Sequence, residues 1–168
     1  MSSENAEFSI GDIVVYPAHG VGKIIDIKKK EVVGIIVEVY IIQTFGENML
    51  LNVPIKQAVS HGLRHLSSQE IVKNAIKKLQ SKIEKARGFW NKRVYKYEAK
   101  VKSGDLVAIA EVARALFKAS DQGNRSYSER IIYENAIDRI AIEIAAIQKI
   151  SKEEAAHYVL GLLNSAEQ

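Results

Sequence analysis

The stretch Phe8-Ser9-Ile10-Gly11-Asp12-Ile13-Val14-Val15-Tyr16-Pro17-Ala18-His19-Gly20-Val21-Gly22-Lys23-Ile24 decides how the first part of the chain folds. Val, Ile and aromatic residues crowd Phe8 to Tyr16, Pro17-Ala18-His19-Gly20 interrupts them, and the pattern resumes from Gly20 to Lys28. Pro fixes one backbone angle and Gly tolerates a left-handed one, so the segment reads as strand, tight turn, strand. Gly20-x-Gly22 has the spacing of part of a phosphate loop. It opens a strand and no helix follows, so it is read as backbone geometry.

Outward from this pair, Val32 to Gln43 and Asn48 to Val53 are two further strands, and Leu63 to Leu66 is a possible fifth. Lys28-Lys29-Lys30-Glu31 and Phe45-Gly46-Glu47-Asn48 supply the turns between them, with Gly11 and Gly34 at bends. An antiparallel meander of this size must roll up to bury a core, which predicts a small Tudor-like or SH3-like β-barrel over residues 8–66. The segment before it, residues 1–7, is expected to be disordered.

After Leu66 the apolar period changes from two to 3.6. Ser67-x-x-Glu70 has the form of a capping box, and Ile71, Val72, Ala75, Ile76, Leu79 and Ile83 then recur at helical spacing to Ala86, with Gly88 as a stop. A second helix is predicted from Trp90 to Val101. Asp105 caps a third, with Leu106, Ile109, Ala110, Ala113, Leu116 and Phe117 as its core face. Ser120 to Arg125 is a polar loop. Ser128, or the Ser126-x-x-Glu129 box, starts a long helix through Ile132, Ala136, Ile140, Ile144 and Ile147, and Ser151-x-x-Glu154 caps a last one through Tyr158, Val159, Leu162 and Leu163. The expected fold class is therefore α+β: a small antiparallel β-barrel, then a compact all-helical domain over 67–164 and a tail of 165–168.

The charge is concentrated. Lys73 to Lys102 holds eleven Lys or Arg against Glu84 and Glu98, a local charge of +9 in a chain whose total is +4. The rest of the chain is therefore slightly acidic. The only Trp lies inside the basic block, in Gly88-Phe89-Trp90-Asn91-Lys92-Arg93-Val94-Tyr95-Lys96-Tyr97. Such a block has the electrostatic footprint of a nucleic-acid site, although lysines on a solvated helix face give the same count.

Trp90 carries two readings. Val94, Tyr97 and Val101 follow it at helical spacing, which fits a core stripe. Arg87, Lys92, Arg93 and Lys96 flank it, and Arg93, Lys96 and Lys100 share one helix face, which fits an aromatic wedge beside phosphate-holding cations. The remaining constellations are weaker. His61 and His65 have the spacing of a metal pair, but Gly62 lies between them and no third ligand is near, so no metal site is read. Glu153 and Glu154 point apart on a helix. There is no G-x-S-x-G, no Walker lysine, no H-E-x-x-H and no Cys. No enzyme, no cofactor and no small-molecule substrate is predicted.

Composition agrees with a globular chain, at 47% hydrophobic and 26% charged. The absence of Cys excludes disulfides and thiolate chemistry and fits a reducing compartment, so a cytoplasmic location is expected. Met1 to Glu7 lacks a signal-peptide pattern, and the longest apolar run, Val32 to Ile42, is broken by Glu38 and too short to span a bilayer. No membrane segment is expected.

The opening string, with its G-D-x-V-V-Y-P-x-H-G-x-G pattern, resembles the start of the CarD-like (CarD/CdnL) bacterial transcription regulators. It is also similar to the RNA-polymerase-interacting domain of transcription-repair coupling factors. Asn52-Val53-Pro54, Leu63-Arg64, Trp90-x-x-Arg93, Lys102-Ser103-Gly104-Asp105, Ile109-Ala110-Glu111-Val112, Leu116 and Tyr127-Ser128 with Arg130 extend the CarD-like likeness to about Leu163.

The resemblance implies an N-terminal domain that binds the β subunit of RNA polymerase by adding a strand to it, with Lys30, Leu51, Asn52 and Val53 as contacts. It further implies a helical domain that meets promoter DNA in the minor groove with little sequence specificity. There Trp90 is the wedge, Lys92, Arg93 and Lys96 hold phosphates, and Arg87 and Lys100 lie beside them. The net effect would be a stabilised open complex. The family's strand commonly has a basic side chain where this chain has Asn52, and Lys30 in the preceding hairpin can supply charge. The alternatives are a stand-alone nucleoid or RNA-binding protein, in which the basic block acts alone, and a protein-interaction module with Trp90 buried.

Overall fold

The computed structural model describes residues 7–82, 88–117 and 126–165. The expected disordered start and the C-terminal tail fall outside them, apart from Glu7 and Ser165. The chain divides into two compact units, Met1–Leu66 and Ser67–Gln168.

The first unit is a five-stranded antiparallel sheet of β1 (Ile13–Tyr16), β2 (Gly20–Val32), β3 (Ile35–Thr44), β4 (Leu50–Pro54) and β5 (Arg64–His65), in the order β4-β3-β2-β1-β5. A short helix, α1 (Ile55–Ala58), follows β4. The sheet is not closed into the expected barrel, since β4 and β5 are its two edges. Alternate residues on both faces are buried, Val15, Val21, Val39 and Ile41 on one and the main cluster on the other. Val14, Ile24, Tyr40, Ile42 and Val53 cluster there with Phe8, Ile55, Ala58 and Leu63. Phe8 precedes β1 rather than belonging to it. Its ring meets Tyr40 edge-on at 5.9 Å and His65 at 4.7 Å, and its backbone N–H donates to the Tyr40 hydroxyl.

The opening string explains its own glycines. Gly20 closes the β1–β2 turn at φ 81°, where the His19 N–H donates to the Tyr16 carbonyl. Gly22 sits where β3 crosses closest: a Cβ there would lie 2.7 Å from the Ile42 Cγ2 and 2.8 Å from the Gln43 carbonyl oxygen. Both needs are met by geometry alone, without a phosphate.

The β2–β3 hairpin corrects one expected turn. Lys28 to Glu31 stay in strand, paired with Val39 to Ile36, and the chain reverses at Val33-Gly34. Both of those residues have positive φ, 50° and 75°, as a two-residue hairpin turn requires. Gly34 rather than the charged run supplies the left-handed backbone. The ribbon that results leaves Val32, Val33, Ile35 and Ile36 exposed at its tip.

The second unit packs α2 (Gln69–Leu79), α3 (Trp90–Lys102), α4 (Leu106–Leu116), α5 (Tyr127–Gln148) and α6 (Lys152–Ser165). Its core holds Val72, Ala75, Leu79, Val101, Leu106, Ile109, Ala110, Ala113, Leu116, Phe117, Ile132, Ala136, Ile140, Ile144, Val159 and Leu163. Most of the periodic positions of the sequence are among them, but Ile71 and Tyr158 are exposed, and Ile76, Ile147 and Leu162 are only partly buried.

Several helix ends are shifted. The N-cap of α2 is Ser68, whose hydroxyl accepts from the Ile71 N–H. Ser67 instead donates its hydroxyl and its N–H to the buried carboxylate of Glu143 on α5. The helix ends at Leu79, short of the predicted Ala86; Ile83 and Ala86 lie outside the described residues. Of the two starts read for α5, Ser126 is the cap, its hydroxyl accepting from the Glu129 N–H. The loop predicted over Ser120 to Arg125 also lies outside the described residues.

Candidate nucleic-acid interface

The chain enters α3 through Gly88, at φ 93°, and Phe89, which is extended and takes the N-cap position. Phe89 has no side-chain acceptor to give, so the helix start is held by packing. The Lys92 and Arg93 N–H groups donate to the Phe89 carbonyl. From Trp90 the 3.6-residue period puts Val94, Tyr97 and Val101 on the face against the core. Asn91, Lys92, Tyr95, Lys96 and Glu98 are left exposed on the rest of the helix.

Trp90 is half-buried and packs in part against the helical core. Its indole N–H donates to the Ser128 hydroxyl on α5 at 3.2 Å, and its ring lies 6.2 Å from that of Tyr97. The Arg93 guanidinium lies over the ring, 5.2 Å from its centroid. A cation over an indole face is an attractive pair, stronger as water is excluded. Trp90 is therefore held in one orientation, and Arg93 is folded onto it rather than extended into water.

The other predicted DNA contacts separate. Lys92 and Lys96 are exposed, one turn apart on α3. Lys100 is engaged: its ammonium donates to Glu111 on α4 at 2.7 Å, and Lys78 of α2 approaches the same carboxylate at 3.6 Å. The hydrogen bond from Lys100 is the largest influence holding the Glu111 carboxyl below its ordinary pKa, burial works against it, and the charges of Lys100 and Lys78 add to the lowering. Arg87 lies outside the described residues. Lys73, Lys77 and Lys82 are exposed and extend the basic surface around α2.

The predicted polymerase contacts fall on the sheet. Leu51, Asn52 and Val53 lie on β4, an edge strand paired only with β3. Val53 is buried in the core, Leu51 packs partly against it, and Asn52 faces outward between them. Lys30 is exposed on β2, opposite Val37. A strand edge presents alternate N–H and C=O groups to whatever pairs with it, which makes β4 a template for another chain.

Sequence reasoning missed Arg114. It is buried on α4 and donates to the carbonyls of Leu163 at 2.9 Å and Leu79 at 3.5 Å, in the last turns of α6 and α2. One cation thus serves two helix ends, where carbonyls lack helical partners and the dipole favours positive charge. His61 is exposed, and His65 lies against Phe8. Among the described residues no group of three His, Asp or Glu could hold a metal, and no helix is long and apolar enough to cross a membrane.

The fold is of a two-module class, an open antiparallel sheet followed by a helical unit that carries exposed lysines. Comparison with known families gives this class its particulars. Residues 8–67 match the CarD-like/TRCF RID domain, and residues 74–160 match the CarD C-terminal domain. The chain belongs to the CarD-like family of transcription regulators, and its sheet module is of the RNA-polymerase-interacting type. It is 27% identical over 147 residues to YdeB of Bacillus subtilis (strain 168), a candidate transcription factor; the match spans 88% of this chain and 96% of that protein.

Proposed function

We propose that this protein regulates transcription initiation by binding the β subunit of RNA polymerase through the β4 edge and holding promoter DNA through the N-terminal end of α3. The observation that carries the reading is Trp90. It stands at the start of a helix with exposed Lys92 and Lys96 beside it, and Ser128 and Arg93 fix its ring. A pre-positioned apolar ring between cations suits a distorted minor groove: the cations meet phosphates and the ring meets an unstacked step. Contacts made only with melted DNA shift the closed-to-open equilibrium by their differential free energy, and about 1.4 kcal/mol changes the ratio tenfold.

The test is the half-life of promoter open complexes formed by RNA polymerase alone, with this protein, and with its variants. Trp90→Ala and the Lys92→Gln/Lys96→Gln pair should shorten the half-life while both still bind polymerase. The lysine pair is the cleaner arm, because both side chains are exposed and the fold does not depend on them. Equal half-lives for the protein and both variants would remove the wedge. Tight, salt-sensitive binding to bare duplex or RNA without polymerase would instead favour a stand-alone nucleic-acid-binding protein.

A further inference from the structure

We infer that Phe89 and Tyr127 form a second stacking site beside Trp90, one that takes unpaired DNA bases. This rests on the nucleic-acid reading of the helical unit and adds two residues that the reading does not contain. The Trp90–Ser128 hydrogen bond ties the start of α3 to the start of α5. The residue immediately before each partner is a large aromatic left in water, Phe89 at 82% exposure and Tyr127 at 79%. Neither ring is among the residues packed against the helical core.

An isolated exposed aromatic is unremarkable. Two at adjoining helix starts, each followed one turn later by an exposed cation, are not explained by packing. Lys92 lies three residues after Phe89 and Arg130 three residues after Tyr127, and both are exposed. Tyr127 and Arg130 are surface neighbours on α5, and Lys92, whose N–H donates to the Phe89 carbonyl, lies in the first turn after Phe89. An aromatic face with a cation one turn away matches a nucleotide: the base stacks and the phosphate pairs. Trp90 is the less free of the three rings, with its N–H bonded and one face under Arg93. Paired bases hide their faces within the duplex, so stacking on Phe89 and Tyr127 selects bases that have lost their partners.

The experiment uses the full chain and two DNAs carrying 2-aminopurine at the same position, in the unpaired arm of a fork and in a blunt duplex. The fork should bind roughly tenfold tighter, with the 2-aminopurine emission quenched on binding. Phe89→Ala/Tyr127→Ala should bind fork and duplex alike, keeping duplex affinity within about twofold of the original. Phe89→Tyr should retain the preference, and Lys92→Gln should weaken both DNAs together. Equal binding of fork and duplex by the unmodified protein, or a preference that survives the double alanine variant, overturns the inference and leaves the proposed DNA contact standing. Failure to bind either DNA overturns the inference, while the polymerase-tethered contact is decided separately by the open-complex half-lives.

Discussion

The indole N–H of Trp90 donates to the hydroxyl of Ser128 across 3.2 Å, joining two helices whose partners are 38 residues apart in sequence. A half-buried donor that loses its acceptor keeps its desolvation cost without the bond, so Ser128→Ala should destabilise the helical unit by about 1 kcal/mol. Trp90 is the only Trp, and its fluorescence reports the change directly. We expect a lower urea midpoint and readier quenching by acrylamide. An unchanged emission and midpoint would show that the bond does not hold the ring.

Arg114 should be costly to remove from the helical unit. It is 4% exposed, and its guanidinium meets carbonyls at the ends of both α2 and α6. Arg114→Ala leaves those carbonyls buried without a donor and should cost about 2–4 kcal/mol. Both hydrogen bonds come from a single guanidinium nitrogen, so Arg114→Lys, whose ammonium also has several donors, should recover part of the loss. Chemical denaturation of the three proteins measures both effects.

Glu111 gives the protein a defined response to acid. Its carboxyl pKa lies below the ordinary 4.5 in the folded state, first because Lys100 donates to it and then because Lys100 and Lys78 are charged beside it. The folded value is the depressed one, so the unfolded chain takes up the proton more readily. The stabilisation is complete above about pH 4.5 and is lost as the pH falls through the folded value. The stability difference between the protein and Glu111→Gln should therefore shrink toward zero on acidification from neutral pH. The carboxylate is partly exposed, which limits the effect to about 1 kcal/mol or less. A difference that grows below pH 4.5 would contradict the sign.

What the sequence made legible was periodic. Leu106, Ile109, Ala110, Ala113 and Leu116 are buried because α4 repeats every 3.6 residues, and no distant partner is needed to see it. The α+β layout follows from the same change of period. What stayed hidden was set by side-chain contacts that spacing along one helix does not report. Lys100 reads as one of a basic row with Arg93 and Lys96, yet Glu111 binds it and Trp90 holds Arg93, leaving Lys96 exposed. The candidate site is therefore narrower in Lys and Arg than its spacing suggests, and the exposure of Phe89 and Tyr127 is set by tertiary packing. The hairpin turn was misplaced for a local reason. Four charged residues outweighed Gly34 in the reading, whereas left-handed backbone is what a two-residue loop requires. Arg114 could have been suspected only as a cation inside an apolar helix stripe.

Gly22 and Gly34 separate two costs of adding one methyl group. At Gly34 the backbone is left-handed at φ 75° and no atom lies within 4 Å of an added Cβ, so Gly34→Ala should cost only the strain of that conformation, about 1–2 kcal/mol. At Gly22 the obstacle is the neighbouring strand. The Ile42 methyl can turn aside, but the Gln43 carbonyl oxygen at 2.8 Å belongs to the backbone of β3 and is fixed by the ladder that pairs Gly22 with Thr44. Relieving that contact means parting β2 from β3, the two long strands of the sheet, and Gly22→Ala should cost about 2–3 kcal/mol. Amide hydrogen exchange resolves the comparison by location. Gly22→Ala should speed exchange along β2 and β3 more than Gly34→Ala does, while amides of α4 in the other unit stay as protected as before. Equal acceleration by the two variants would mean that the sheet opens around Gly22 at no more cost than bending a turn.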